Sequence, residues 1–345
     1  MENRAVLMPT PGDPFMLRYW IDNFKTYKHL VGKLYVCMNS PIEKEAVDYM
    51  REIVESVGGE FIYIDHQVQH GDGILACLEA CKEKYVMLIE DDCYVIKPDF
   101  VNRCFEKIES GEADLIGSKR GSCAFEILDE ASKKWGIPYE GTGDQGCNFW
   151  PSFVFTKRKT LMDTDKDFNA KAWNEGDELA GLGMIADKTI YGDTFVNTSL
   201  QLRGKIAGDK ILTVPQYHAG SVDLGEYNDN KGLFDGKCPW VHIGSLSSGI
   251  CGVIADEQNR ALAYRSGEPK SEPPYKPEWC NSDMERLEWT RRICFWLRYY
   301  ETRQLGVLDE LAEDYHNGLL RIMSFYRINM KKVKQLQFIY STLGL

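Results

Sequence analysis

Three carboxylates stand side by side at Glu90-Asp91-Asp92, directly after the apolar run Tyr85-Val86-Met87-Leu88-Ile89. Like charges this close oppose one another's ionisation, so something must offset the cost. A hard divalent cation does so through oxygen ligands, and a diphosphate can complete its coordination. Taken alone, a short acidic run is also an ordinary solvated turn. Its setting gives it weight: a fully apolar strand precedes it, and Ile96-Lys97-Pro98-Asp99-Phe100 follows.

Other residues invite chemistry at a distance from that turn. Asp193, in Tyr191-Gly192-Asp193-Thr194, opens a helix-like stretch. On the residues alone, an Asp-Thr pair at a helix start is a common cap. Asp177 and Glu178 form a second acidic pair close by. Two histidines close short apolar runs, His218 after Val214-Pro215-Gln216-Tyr217 and His242 after Pro239-Trp240-Val241. Neutral imidazole suits Mn²⁺ and is less suited to Mg²⁺. A hydrogen-bonded structural role is the commoner fate of each. No Walker A sequence, no GxGxxG and no HExxH occurs.

The elements that must position these residues alternate. Ala5–Met8, Lys33–Met38, Phe61–Ile64, Tyr85–Ile89 and Asp114–Gly117 read as strands, and helix-period segments separate the first four. Strand, helix, strand at this spacing requires parallel strands joined by right-handed crossovers. Ligands of such sheets bind beyond the carboxyl ends of the strands. Thr10-Pro11, Asn39, Asp65 and the acidic triplet all fall at such ends. Further on, Phe153–Phe155 and Ile211–Val214 read as strands, and Thr194–Leu202 as a helix.

The segment 85–100 resembles the DxD region of GT-A glycosyltransferases, especially the inverting family 2-like group. That group reads leucine, then three aspartates, with a proline after a short run; Glu90 stands here for the first aspartate. The stretch 191–218 resembles the same family's later element: an aspartate, a helix of Arg-Leu type, a glycine, a strand and a histidine. The resemblance implies an α/β, mostly parallel GT-A (Rossmann-like) sheet flanked by helices. It implies Asp92 as a metal ligand, completed by His218 or His242, with Mn²⁺ or Mg²⁺ as cofactor. Thr10, Pro11, Asn39 and Asp65 would meet the nucleoside, and Glu90 and Asp91 the ribose, the sugar or a metal-bound water. Asp193 would be the general base toward an acceptor hydroxyl, with Asp177 and Glu178 as alternatives. Trp150 and Trp173 would line a sugar pocket, since sugar faces pack on aromatic rings, or else belong to the core. His70-Gly71-Asp72-Gly73 resembles the point where donor contacts begin in related enzymes, and equally a helix cap.

Composition narrows the partners. The 345 residues carry a formal net charge of -11, which opposes non-specific attraction to nucleic acid. Eleven cysteines without a CxxC pair suggest buried, reduced thiols in a cytoplasm. The opening Met-Glu-Asn-Arg leads straight into a strand, so no signal peptide is expected. No apolar run has the length of a membrane span. We expect a catalytic domain over 1–262, a proline-rich linker over 263–282 and a helical appendage over 283–345. The stretch 284–340 holds ten basic against seven acidic residues, with interleaved aromatics. A solvated helical cap explains it, as does an anion-binding face.

The function expected is transfer of a sugar from a nucleotide-diphosphate sugar, a UDP-sugar first, to an acceptor hydroxyl. The acceptor is open among a hydroxylated base in DNA, a glycan, a protein and a small molecule. A GT-A-like nucleotidyltransferase and a non-catalytic sugar- or nucleic-acid-binding module are the alternatives.

Overall fold

Alternation of side chains along the first strand decides the layering. In β1 (Arg4–Thr10), Val6 and Met8 turn to one face and Ala5 and Leu7 to the other, and all four are fully buried. A strand buried on both faces needs a helical layer on each side. The computed structural model describes residues 1–10, 14–38, 44–66, 68–91, 93–95, 97–118, 124–136, 149, 151–214, 216–218, 221–223 and 240–242. The linker expected over 263–282 and the appendage over 283–345 lie outside these residues.

The first half is built as the sequence led us to expect. After β1 come α1 (Pro14–Tyr27), β2 (Lys33–Met38), α2 (Lys44–Ser56), β3 (Glu60–Tyr63), α3 (His70–Ala80) and β4 (Tyr85–Ile89). β1 pairs in parallel with both β2 and β4, and β2 with β3. A short strand then follows, β5 (Cys93–Val95), with α4 (Pro98–Ser110) and β6 (Leu115–Gly117) after it. The strand expected fifth in the chain is therefore the sixth. Pro98 opens α4 at a position that needs no N–H, and Gly111 closes it in the left-handed conformation.

The second half adds α5 (Phe125–Trp135), β7 (Phe153–Lys157), α6 (Arg158–Met162), β8 (Lys171–Trp173), β9 (Glu178–Leu179), β10 (Met184–Ile185) and β11 (Ile190–Gly192). It continues with α7 (Val196–Lys205), β12 (Ile211–Thr213), β13 (Gln216–His218), β14 (Ser221–Asp223) and β15 (Trp240–His242). The central sheet has seven strands in the order β12-β6-β7-β4-β1-β2-β3. Only β7 runs antiparallel to its neighbours. This is the mostly parallel, helix-flanked α/β architecture expected.

Two cores sandwich the sheet. One face holds Trp20 and Phe24 of α1, Met50 of α2, and Phe100 and Phe105 of α4. The other holds Ile74 and Cys77 of α3, Leu161 of α6 and Leu202 of α7. A third, smaller core joins α5 to β8, β11 and α7 through Ile127, Trp173, Ile190 and Leu200. Arg4 ties the start of β1 to α4. Its guanidinium bonds both Glu109 oxygens at 2.7 Å and Asn102 Oδ1 at 2.8 Å. Cys37, Cys77, Cys81, Cys93 and Cys104 are buried free thiols. Among the described residues, no helix is long and apolar enough to cross a membrane.

Candidate active site

The carboxyl ends of β1 and β4 lie side by side, because the two strands pair in parallel. Thr10 closes β1, and its hydroxyl donates to Asp91 Oδ2 at 2.8 Å. Both side chains are buried, Asp91 to 7% exposure. One oxygen of the middle carboxylate of the triplet is thus bound to the neighbouring strand. The preceding acid, Glu90, faces another element: its Oε1 lies 3.7 Å from His70 Nδ1, at the start of α3. Asp92, Pro11, Asn39 and Trp150 lie outside the described residues. Asp65 follows β3 with an exposed carboxylate, 3.1 Å from His66 Nδ1.

The start of α3 is itself anchored. A capping box links Gln69 and Asp72, with the Gln69 N–H donating to Asp72 Oδ2 at 2.9 Å. The helix therefore begins at His70. The second oxygen of Asp72 accepts from Asn169 Nδ2 at 2.9 Å. A Cβ on Gly71 would overlap the backbone of Phe168 and Asn169, so only glycine permits this approach.

The same loop holds the second acidic motif. The Phe195 N–H donates to the Phe168 carbonyl at 2.9 Å, and the two rings stack with centroids 5.9 Å apart. Phe195 has φ 71°, a left-handed conformation unusual for a bulky residue. Such backbone costs about 1–3 kcal/mol and persists only where surrounding structure enforces it. The strained turn lies between β11 and α7, and Asp193 opens it. Asp193 Oδ1 accepts the Thr194 N–H at 2.7 Å, and its carbonyl accepts the Val196 N–H at 3.1 Å. These bonds hold 194–195 as a turn, so the helix expected from Thr194 starts at Val196. Asp193 is half-buried. Asp165 fastens the far side of α7. Burial opposes its charge, but bonds from Asn197 Nδ2 and the Asp167 N–H, with Lys171 nearby, overcome this and hold the carboxyl below its ordinary 3.8.

The other candidates take separate places. Asp177 Oδ2 accepts the Asn174 N–H at 2.8 Å and closes a turn, and Glu178 is exposed in the β9–β10 ribbon. Trp173 is 1% exposed within the third core, the core alternative weighed for it; a pocket wall needs an exposed ring.

The backbone register brings both histidines to the acidic turn. β15 pairs antiparallel with β5, setting His242 opposite Cys93. β13 pairs in parallel with β15, setting His218 beside His242. Cys93 follows directly on the triplet. The four-stranded sheet β14-β13-β15-β5 thus brings both histidine positions to the strand that follows the acidic triplet directly, 126 or more residues earlier in the sequence. Sequence reasoning missed β5, whose three residues leave no visible alternation, although Cys-Tyr-Val is good strand composition. It also left His70 undecided. Among the described residues no trio of His, Cys, Asp or Glu side chains is set to hold a metal. Carboxylate and imidazole, the side-chain types the sequence supplies at these backbone positions, suit Mn²⁺.

No protein-family model and no curated protein matches the chain. Among solved structures it is similar to glucosyl-3-phosphoglycerate synthase from Mycobacterium tuberculosis in complex with Mn²⁺, uridine-diphosphate-glucose and phosphoglyceric acid. The identity is 17%, with 78% of this chain and 81% of that chain covered and a TM-score of 0.41. It is also similar to CMP:2-keto-3-deoxy-manno-octonic acid synthetase complexed with CTP, at 12% identity, with 47% of this chain and 76% of that chain covered and a TM-score of 0.32. At such scores neither likeness bears on activity or substrate.

Proposed function

We propose that this chain is a metal-dependent glycosyltransferase of GT-A type, moving a sugar from a nucleotide-diphosphate sugar, a UDP-sugar first, to an acceptor hydroxyl with inversion. The observation that carries this reading is the register of β13 and β15 on β5, which sets two histidine positions beside an acidic turn at the carboxyl edge of a parallel sheet. That edge is where α/β sheets bind nucleotides.

Asp92 and one of the two histidines would hold Mn²⁺ or Mg²⁺. The bound cation would supply neutralisation of the charge that builds on the departing diphosphate. Thr10 and Asp91 fix the floor of the donor site, and Glu90 reaches the ribose or the sugar. Asp193 takes the proton from the acceptor hydroxyl as that oxygen bonds to the anomeric carbon and the bond from that carbon to the phosphate oxygen breaks. The bonds to Thr194 and Val196 orient Asp193 for this task.

A thermal-shift screen of nucleoside diphosphates and nucleotide-sugars, with and without Mn²⁺, tests the reading. UDP at about a hundred times its dissociation constant should stabilise the protein by about 2.7 kcal/mol, and only with the metal. Asp92→Asn should abolish that shift and leave the unliganded melting temperature unchanged. The reading fails if the variant keeps the full metal-dependent shift, or if no nucleotide shifts the unmodified protein.

A further inference from the structure

The three-residue strand β5 is held from both sides. On one side it pairs with β15. On the other, the side chain of Asn23 in α1 meets Val95 in two bonds. The Val95 N–H donates to Asn23 Oδ1 at 2.8 Å, and Asn23 Nδ2 donates to the Val95 carbonyl at 2.8 Å. A side-chain amide carries both an acceptor and a donor, so Asn23 stands to Val95 as the peptide group of a neighbouring strand would. It pairs an N–H and a carbonyl that a buried edge could not leave unmet, for Val95 is 4% exposed.

These bonds also fix the phase of the ladder. In an antiparallel strand the N–H and carbonyl of one residue point to the same side. Those of Val95 point to α1, so Val95 and Trp240 form a non-hydrogen-bonded pair, and Tyr94 with Val241 is the hydrogen-bonded pair next to it. That pair holds β5 from one side and Asn23 holds it from the other. The helix bearing Asn23 is firmly seated, since Trp20, Phe24 and Tyr27 share one core with Cys93, Val95 and Trp240. At the other end of β5, the Cys93 N–H donates to the Glu90 carbonyl at 3.1 Å and closes the acidic triplet into a turn.

We propose that Asn23 is a positioning residue for the metal site, an inference that rests on the transferase reading. It acts through β5 and not by contact with the cation. β5 is the strand that leads out of the acidic turn and on which the two histidine positions are registered. Held by β15 alone, it would shift against the central sheet, and the acidic turn and the histidine positions would no longer keep one spacing. Metal affinity depends on such supporting groups as well as on the ligands themselves.

Titration of the full chain with Mn²⁺ at saturating UDP, followed by the electron paramagnetic resonance of free Mn²⁺, tests the proposal. Asn23→Leu keeps the size and removes both bonds, and should weaken Mn²⁺ binding about tenfold. Asn23→Asp keeps an acceptor for the Val95 N–H but sets a carboxylate against the Val95 carbonyl. It should weaken binding too, and it decides the matter if the leucine variant does not fold. Thr156→Val removes a hydroxyl that donates to the Asp114 carbonyl at 2.7 Å, beside the starts of β4 and β6. That variant should melt at a lower temperature yet bind Mn²⁺ as the unmodified protein does, which separates positioning from loss of stability. Unweakened Mn²⁺ binding in the Asn23 variants overturns the proposal, and so does an equal loss in Thr156→Val. The two readings fail separately. Unweakened binding in the Asn23 variants removes the positioning role alone, whereas an unmodified protein that binds no Mn²⁺ with UDP removes the metal-dependent transferase and the positioning role with it.

Discussion

The hydroxyl of Thr10 and the carboxylate of Asp91, 81 positions apart, meet at 2.8 Å in a buried setting. Parallel pairing of β1 with β4 makes the meeting possible, and the bond in turn fixes the acidic turn against the sheet. Thr10→Val keeps the shape and removes the donor. Losing one partner of a buried, charge-assisted bond costs about 1–3 kcal/mol. Calorimetry should show a melting temperature lower by about 2–6 °C, together with weaker UDP binding. An unchanged midpoint would mean that another group supplies what Thr10 gave.

Asp193 and its rivals separate by substitution. Asp193→Asn preserves size and most hydrogen bonding but cannot accept the proton, so transfer should fall by about 10²–10⁴. Glu178→Gln alters an exposed carboxylate in a peripheral ribbon and should leave turnover within about twofold. Asp177→Asn should behave likewise, since an amide oxygen can still close the Asn174 turn. Initial rates of sugar transfer in the three variants decide the assignment. Equal loss in Glu178→Gln would transfer the base to the ribbon.

The parallel sheet was legible because β1 to β4 are apolar runs separated by helix-period segments, a local pattern. The position of the acidic turn at a strand end was legible for the same reason. What sequence could not show was pairing at long range. Nothing near Cys93 announces that it will face His242, and three-residue strands carry no alternation to read. The start of α7 was placed two residues early because a left-handed Phe195 runs against propensity. Trp173 left both its fates open in sequence; burial in the third core decides in favour of structure.

Gly71 is required where the start of α3 meets the loop before β8. Alanine there would collide with backbone atoms of Phe168 and Asn169, which cannot rotate away as a side chain can. Gly71→Ala should cost about 1–3 kcal/mol and displace the Asp72–Asn169 bond and the His70–Glu90 approach together. Gly208→Ala, where a Cβ meets nothing within 4 Å, is the control and should be close to neutral. Urea midpoints for the two variants make the comparison. Equal midpoints would show that the loop gives way freely.

The Arg4–Glu109 pair should leave a mark on stability against pH. Its hydrogen bonds from Arg4 hold the Glu109 carboxyl below its ordinary 4.5, although partial burial opposes this. A carboxyl depressed in the folded state contributes stability that is fully present above 4.5. That contribution is lost as pH falls through the lower folded value. Glu109→Gln keeps one acceptor for Arg4 but loses the charge. It should therefore be less stable than the unmodified protein at pH 7, by about 1 kcal/mol. The gap should narrow toward pH 3, where the native carboxyl also becomes neutral. Urea unfolding of both proteins across that range measures the gap directly. A gap that stays constant with pH would show that the pair acts through shape and packing, with no share from its charge.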